Sequence, residues 1–390
     1  MGNVSTPVVC FMDANPEICF QSIFNGHQIC ATERLGEQVF NIWHDEKANL
    51  PVPNLIQVVV EESTLNRYIL LRYEKNTISA LLLDAGTEVE CSILTMPSQS
   101  ILYERTSGLF EHDVLTKKKI AIVGLGSFGS HIAVELAKCG LGNFGLFDYD
   151  RLEPGNVTRH VCGLADVGRL KVLAVHDAIL QCNPFAKVET FSSNINTHMR
   201  EFSMWVQDSD LLICVTDENQ SRINCTEVAL RTGKVALFGR AITRAEGGDV
   251  LRFRPGIGPC LACLIGNGIF DYKNEEVSTL QQSKRSAPAY MDPKDIKDKV
   301  QVGLSADIIP IWNMIVRLAL VELSRGISSD FESLEQDFSA DYYFWVNRRE
   351  NKYKAFKPMQ FSVTRPSVLR WYGVNLPRNH FCLICGTELP

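Results

Sequence analysis

Several absences narrow what this chain can do. It has no excess of positive charge: 45 acidic residues against 39 basic ones leave a formal net charge of −6. A chain-wide nucleic-acid binder is basic, so nucleic acid is not an expected partner. There is no long apolar run free of charge. The longest candidate, residues 304–323, is interrupted by Asp307, Asn313 and Arg317, so no membrane span is expected. No basic segment followed by a long apolar stretch stands near residue 1, so no signal peptide is expected. Internal repeats and low-complexity tracts are absent. Apolar residues make up 45% and charged residues 22% of the chain, close to globular averages, which argues against disorder, collagen and coiled coil alike. The 13 cysteines are an odd number spread over 390 residues. They fit a reducing, cytoplasmic setting, where cysteines ligate metal or sit buried.

At ~100–200 residues per domain, the length suggests two or three domains. Residues 1–100 read as a small α+β module of unknown role, whose position suggests partner recruitment. Residues 55–60, 68–73 and 78–83 read as its strands, punctuated by Pro51, Pro53, Gly86 and Pro97. His27 and His44 lack the close pairing of a metal-dependent isopeptidase and read as ordinary histidines. The pattern changes near Lys117. Residues 120–123 suit a buried parallel strand. A glycine-rich loop, a helix over 130–138 and strands over 144–147, 188–191, 211–215 and 235–238 follow in alternation. Residues 101–390 therefore read as an α/β domain with a doubly wound, Rossmann-like, mostly parallel sheet. Residues 304–323 have helical spacing and should pack on it. The polar, lysine-rich residues 265–302 read as a long mobile crossover.

Gly124, Gly126 and Gly129 fit G-x-G-x-x-G between a strand and a helix, with Ser127 inside the loop. Such a backbone can turn tightly and approach phosphates, which the helix N-terminus favours. Alone the motif is weak. Asp148, 24 residues after Gly124, is placed to accept ribose hydroxyls, which still allows a dehydrogenase. More specific is what comes next: Asp150, Asn156, Arg159 and then Lys171, twelve residues on. Arg grips phosphate oxygens with two prongs and Lys brings a movable charge, as a triphosphate requires. Asp217, after the 211–215 strand, could hold Mg²⁺ or simply cap the next helix. Two Cys-x-x-Cys pairs, Cys260/Cys263 and Cys382/Cys385, can close a tetrahedral site for a structural Zn²⁺, with Gly386 read as permitting a left-handed turn after the last thiolate. That site would tie residues 382–386 back to the main domain.

Taken in this order, the motifs resemble those of the ThiF/MoeB/HesA superfamily, adenylyltransferases related to ubiquitin-activating enzymes, over roughly residues 100–390. The resemblance implies that Gly124, Gly126 and Gly129 form the ATP loop, that Asp148 binds the ribose, that Asn156, Arg159 and Lys171 contact the triphosphate, and that Asp217 serves Mg²⁺. It also implies a homodimer in which an arginine before the first strand reaches the partner's ATP; Arg105 stands about there. The implied reaction is ATP- and Mg²⁺-dependent adenylation of the C-terminal carboxylate of a ubiquitin-like protein or peptide ending in glycine. The product would pass to a conjugating enzyme or a sulfur donor, in a bacterial conjugation system that can be antiviral or in a sulfur-carrier pathway. One departure stands out: residues 264–303, where many relatives keep a catalytic cysteine, contain none. Of the other cysteines, only Cys162 is expected near the nucleotide. A nicotinamide-dependent oxidoreductase would use the glycines and Asp148 but leave Asn156, Arg159, Lys171 and the thiol pairs idle. A non-catalytic scaffold that binds a ubiquitin-like partner would have no need of the nucleotide residues.

Overall fold

A computed structural model describes seven strands within residues 8–95, together with residues 99–106, 112–242, 245–266, 303–327, 332–349, 353–355 and 367–386. The chain divides into two compact units, Met1–Arg105 and Thr106–Pro390. His27 and most of the expected crossover, from residue 267 to 302, lie outside the described residues.

The strands of the first unit are β1 (Val8–Phe11), β2 (Gln28–Arg34), β3 (Val39–Asp45), β4 (Leu55–Glu61), β5 (Tyr68–Glu74), β6 (Thr77–Asp84) and β7 (Thr87–Thr95). They form a closed barrel in the order β1-β3-β2-β4-β5-β6-β7, sealed by parallel pairing of β1 with β7. The strands expected at 55–60, 68–73 and 78–83 are β4, β5 and β6. The expected α+β character is corrected: among the described residues the unit's one α-helix is the short α1 (Gln99–Leu102). Closure supplies the reason. A sheet that pairs its own two edges buries one face internally, as Ile69, Leu71, Ala80 and Leu82 do, and needs no helical layer.

The second unit opens with α2 (His112–Leu115) and β8 (Lys119–Val123), then alternates: α3 (Gly129–Lys138), β9 (Asn143–Phe147), α4 (Lys171–Cys182), β10 (Lys187–Phe191), α5 (Met199–Gln207), β11 (Leu211–Cys214), α6 (Asn219–Thr232), β12 (Val235–Ala241). β8 to β12 pair in parallel, in the order β10-β9-β8-β11-β12. The sheet then continues antiparallel through β13 (Gly247–Phe253), β14 (Tyr342–Val346) and β15 (Arg370–Val374). Between β13 and β14 lie α7 (Leu261–Gly266), α8 (Ser305–Ser324) and α9 (Glu332–Asp337). No helix among the described residues is long and apolar enough to cross a membrane.

Strand periodicity sorts the core into two layers. Ile120, Ile122, Leu211 and Ile213 point to one face and pack with α3, α4 and α8. Ala121, Val123, Leu212 and Cys214, their neighbours along the same strands, point to the other face and pack with α5, α6 and α7. Both faces are covered, as a parallel sheet requires. The chain runs from β8 outward to β9 and β10, then returns to place β11 on β8's other side. The order therefore reverses at the carboxyl ends of β8 and β11, the usual ligand position in such sheets.

Candidate active site and cysteine cluster

The glycine-rich loop leaves β8 at this reversal. Gly124 has φ +87°, and a Cβ there would lie 3.0 Å from Thr216 Cγ2. A Cβ on Gly129 would sit 1.8 Å from the Gly124 carbonyl oxygen. These two glycines are demanded by packing. Gly126 differs: a Cβ there would meet nothing within 4 Å, so its backbone faces open space. Ser127, beside it, is half-buried.

Asp148, just after β9, buttresses this loop. Its Oδ2 accepts the Leu125 N–H at 2.6 Å and its Oδ1 the Asp150 N–H at 2.8 Å. Burial pushes its carboxyl pKa up, a rise that Lys171 opposes. Each oxygen keeps a lone pair for a further donor such as a ribose hydroxyl. Lys171, the first residue of α4, is 9% exposed and its Nζ donates to Asp150 Oδ2 at 2.9 Å. Burial opposes the lysine's charge, but Asp148, Asp150 and Asp217 together outweigh it and hold its pKa above the ordinary value. One cation thus faces three carboxylates drawn from the ends of two different strands.

Asp217 is exposed, in the turn between β11 and α6. The helix cap is Glu218, not Asp217. Thr216 bonds Ser221 Oγ at 2.6 Å, which fixes the turn from within. The segment after β9 carries a short 3-10 turn, Pro154–Asn156, closed by a reciprocal capping box: Asn156 Oδ1 accepts the Glu153 N–H at 3.0 Å. Arg159 is exposed, its Nη1 donating to the Gly155 carbonyl at 3.1 Å. Arg105 is exposed and lies in a 3-10 turn, Glu104–Thr106, at the end of the first unit.

The sequence reading missed His160. It is 7% exposed, with Nε2 2.8 Å from the Leu125 carbonyl and Nδ1 accepting the Cys162 N–H at 3.0 Å. Burial lowers its pKa to about 4. Its position directly after Arg159 was the available signal. Cys162 is buried, and burial followed by the nearby Asp166 pushes its thiol up to about 11. It is therefore a protonated, covered thiol at neutral pH, a poor acyl acceptor.

Cys260, Cys263, Cys382 and Cys385 converge at the start of α7, within the apolar layer that includes α6. Their sulfurs all lie within 4.8 Å of one another, with Cys260–Cys263 at 3.8 Å, Cys260–Cys382 at 3.6 Å and Cys263–Cys385 at 3.4 Å. A tetrahedron with metal–sulfur bonds of ~2.3 Å has edges of about 3.8 Å, so the four thiols fit a zinc ion. Gly386 is corrected. It does not adopt the left-handed conformation. Its lack of a side chain serves close approach instead: a Cβ would lie 2.4 Å from the Cys382 carbonyl, to which the Gly386 N–H donates at 2.8 Å.

Residues 100–358 match the ThiF family. An uncharacterized protein, y4oA, of Sinorhizobium fredii is 32% identical over 164 residues, 38% of this chain and 28% of that protein. Ubiquitin-like modifier-activating enzyme 5 of Caenorhabditis elegans is 27% identical over 176 residues, 43% of this chain and 42% of that enzyme. The adenylyltransferase and sulfurtransferase UBA4 of Lodderomyces elongisporus is 31% identical over 150 residues, 38% of this chain and 32% of that enzyme. The chain thus spans less than half the length of these relatives. Among solved structures, E. coli MccB has a TM-score of 0.48 at 17% identity, covering 72% of this chain and 68% of that one.

Proposed function

Because the chain belongs to the ThiF family, we propose that it adenylates the C-terminal carboxylate of a ubiquitin-like protein or peptide at the expense of ATP. The observation that carries this reading is the set of groups gathered at the carboxyl ends of β8, β9 and β11. The open backbone at Gly126, the buttressed Asp148, the buried Lys171 among three carboxylates and the exposed Asp217 all lie where the sheet reverses. Two of the relatives, a ubiquitin-like modifier-activating enzyme and an adenylyltransferase and sulfurtransferase, support the reaction class.

The chemistry assigned to this chain's residues is positioning and charge stabilisation. A carrier carboxylate oxygen bonds to the α-phosphorus, the bond to the bridging oxygen breaks, and pyrophosphate leaves with that electron pair. The loop around Gly126 receives phosphates on its N–H groups, with Ser127 and Asn156 as further polar contacts. Lys171 and Arg159 hold negative charge as it shifts toward the leaving group. Asp148 orients the ribose, and Asp150 holds Lys171 until phosphate competes for it. Asp217 would hold Mg²⁺, which supplies Lewis-acid neutralisation of phosphate charge when bound. No protein nucleophile takes part in this step. Cys162 is buried and protonated, and residues 264–303 contain no cysteine, so in this reading the adenylate passes to an external nucleophile.

The four clustered cysteines would hold one structural zinc, with no open coordination position for chemistry. The test of the main reading is pyrophosphate exchange into ATP, measured with a glycine-terminated carrier protein. Exchange that depends on the carrier and falls by orders of magnitude in Asp217→Ala is expected. Binding of NAD without exchange would overturn the assignment.

A further inference from the structure

Arg159 sits in an irregular segment between two short 3-10 turns, Pro154–Asn156 and Leu164–Asp166. Its guanidinium can reach a phosphate reproducibly only if its backbone is fixed. The bonds that fix the backbone come from its neighbours. Val161 donates its N–H to Ser130 Oγ in the first turn of α3 at 3.4 Å, and the Arg159 N–H donates to the Asn156 carbonyl at 2.9 Å. The strongest grip comes from His160, through both ring nitrogens.

The tautomer follows from the partners. A backbone N–H can only donate, so the Nδ1 facing Cys162 carries no proton. A carbonyl can only accept, so the Nε2 facing Leu125 carries it. A neutral imidazole therefore makes two dissimilar bonds at once. The bond to Cys162 is local, two residues along, and shapes the turn much as an Asx side chain does. The bond to Leu125 spans 35 residues and lands inside the glycine-rich loop. Leu125 is consequently held at both ends, its N–H by Asp148 and its carbonyl by His160. The loop hangs between the residue placed at the ribose and the residue that precedes the Cys162 turn.

We propose that His160 is a positioning residue that ties the Arg159 segment to the glycine-rich loop, so that phosphate contacts from both form as one unit. This rests on the nucleotide reading of the site. His160 acts through Arg159 and does not touch the nucleotide.

The test is Mg-ATP binding by isothermal titration calorimetry, with thermal unfolding of each nucleotide-free variant as a control. His160→Asn keeps the local turn, because an Asn oxygen accepts the N–H two residues on, but it cannot reach Leu125. Binding is expected to weaken ~10-fold, the effect of losing about one hydrogen bond's worth of organisation. In an Arg159→Ala background the same change should cost no more than ~2-fold, since the arginine that the tie sets against the loop is gone. Equal losses in both backgrounds, or no loss in either, would overturn the proposal. His160→Gln supplies a second check that does not depend on the folding of the first variant. Its amide keeps a donor for Leu125 and gives up the local turn, so binding should stay within ~3-fold of native; a tenfold loss there also counts against the tie. If the native chain fails to bind Mg-ATP, the proposal falls together with the nucleotide reading. Native binding that is indifferent to His160 defeats the proposal alone.

Discussion

Three glycines share one motif and divide two tasks. A side chain on Gly129 would enter the Gly124 carbonyl 1.8 Å away, whereas a Cβ on Gly126 would meet nothing within 4 Å, which leaves that backbone open for the approach proposed above. Gly126→Ala is therefore expected to fold with a near-native unfolding midpoint and to lose Mg-ATP affinity by ~10-fold or more. Gly129→Ala should yield little folded protein. Equal stability for the two variants would refute the division. The titration of His160 gives a second expectation at this scale. Its folded pKa of about 4 lies below that of a free histidine, so the unfolded chain binds the proton more readily. The contribution of a neutral His160 is complete above about pH 6.5 and is lost as pH falls toward 4, amounting to roughly 3 kcal/mol. Unfolding midpoints measured across that range should fall less steeply in His160→Asn than in the native chain. The glycines, Asp148 and Lys171 were legible because their spacing along the sequence carries the motif. His160 was not, because the partner that gives it meaning lies 35 residues away.

Among the elements, β8, β9, β11 and β12 could be read from sequence because parallel strands buried on both faces appear as apolar runs, while the edge strand β10, KVETF, is only partly buried and is read from the alternation of elements around it. The antiparallel half could not. β13 carries Asp249 and Arg252 into the interior, where each charge is matched by a side chain of another element. Asp249 accepts three bonds from the Arg240 guanidinium and one from Tyr342, while Arg252 pairs with Glu322 and Asp341. Polar residues inside a strand hide it from any reading by hydropathy. The α7 turn illustrates the opposite case, since its paired cysteines announce themselves. Cys382→Ser is expected to lower the zinc content of purified protein below one per chain and to reduce the unfolding midpoint by roughly 10 °C or more. Elemental analysis that finds no zinc in native protein prepared without chelator would remove the metal from the account.

At the scale of the whole molecule, the barrel of the first unit and the layered sheet of the second are each complete cores, and Arg105 lies at their junction in the sequence. The resemblance that places Arg105 in a partner's site makes a prediction about mixtures. Arg105→Ala and Asp217→Ala should each be inactive in pyrophosphate exchange. Combined and allowed to re-associate, they should recover up to about a quarter of native activity, because half the dimers are mixed and each mixed dimer rebuilds one intact site of two. Mixtures that stay as inactive as their components would show that Arg105 does not act across an interface.

The cysteine cluster joins residues 122 apart in sequence. At synthesis rates of 5–20 residues per second, Cys260 and Cys263 leave the ribosome roughly 6–24 s before Cys382 and Cys385. During that interval the first pair waits for its partner thiols while β14 and then β15 are still being made, and would be open to stray oxidation or to capture by another chain. The nascent protein thus passes through a window of redox vulnerability that the finished fold conceals. Oxidative stress during translation should therefore harm it more than the same stress applied afterwards.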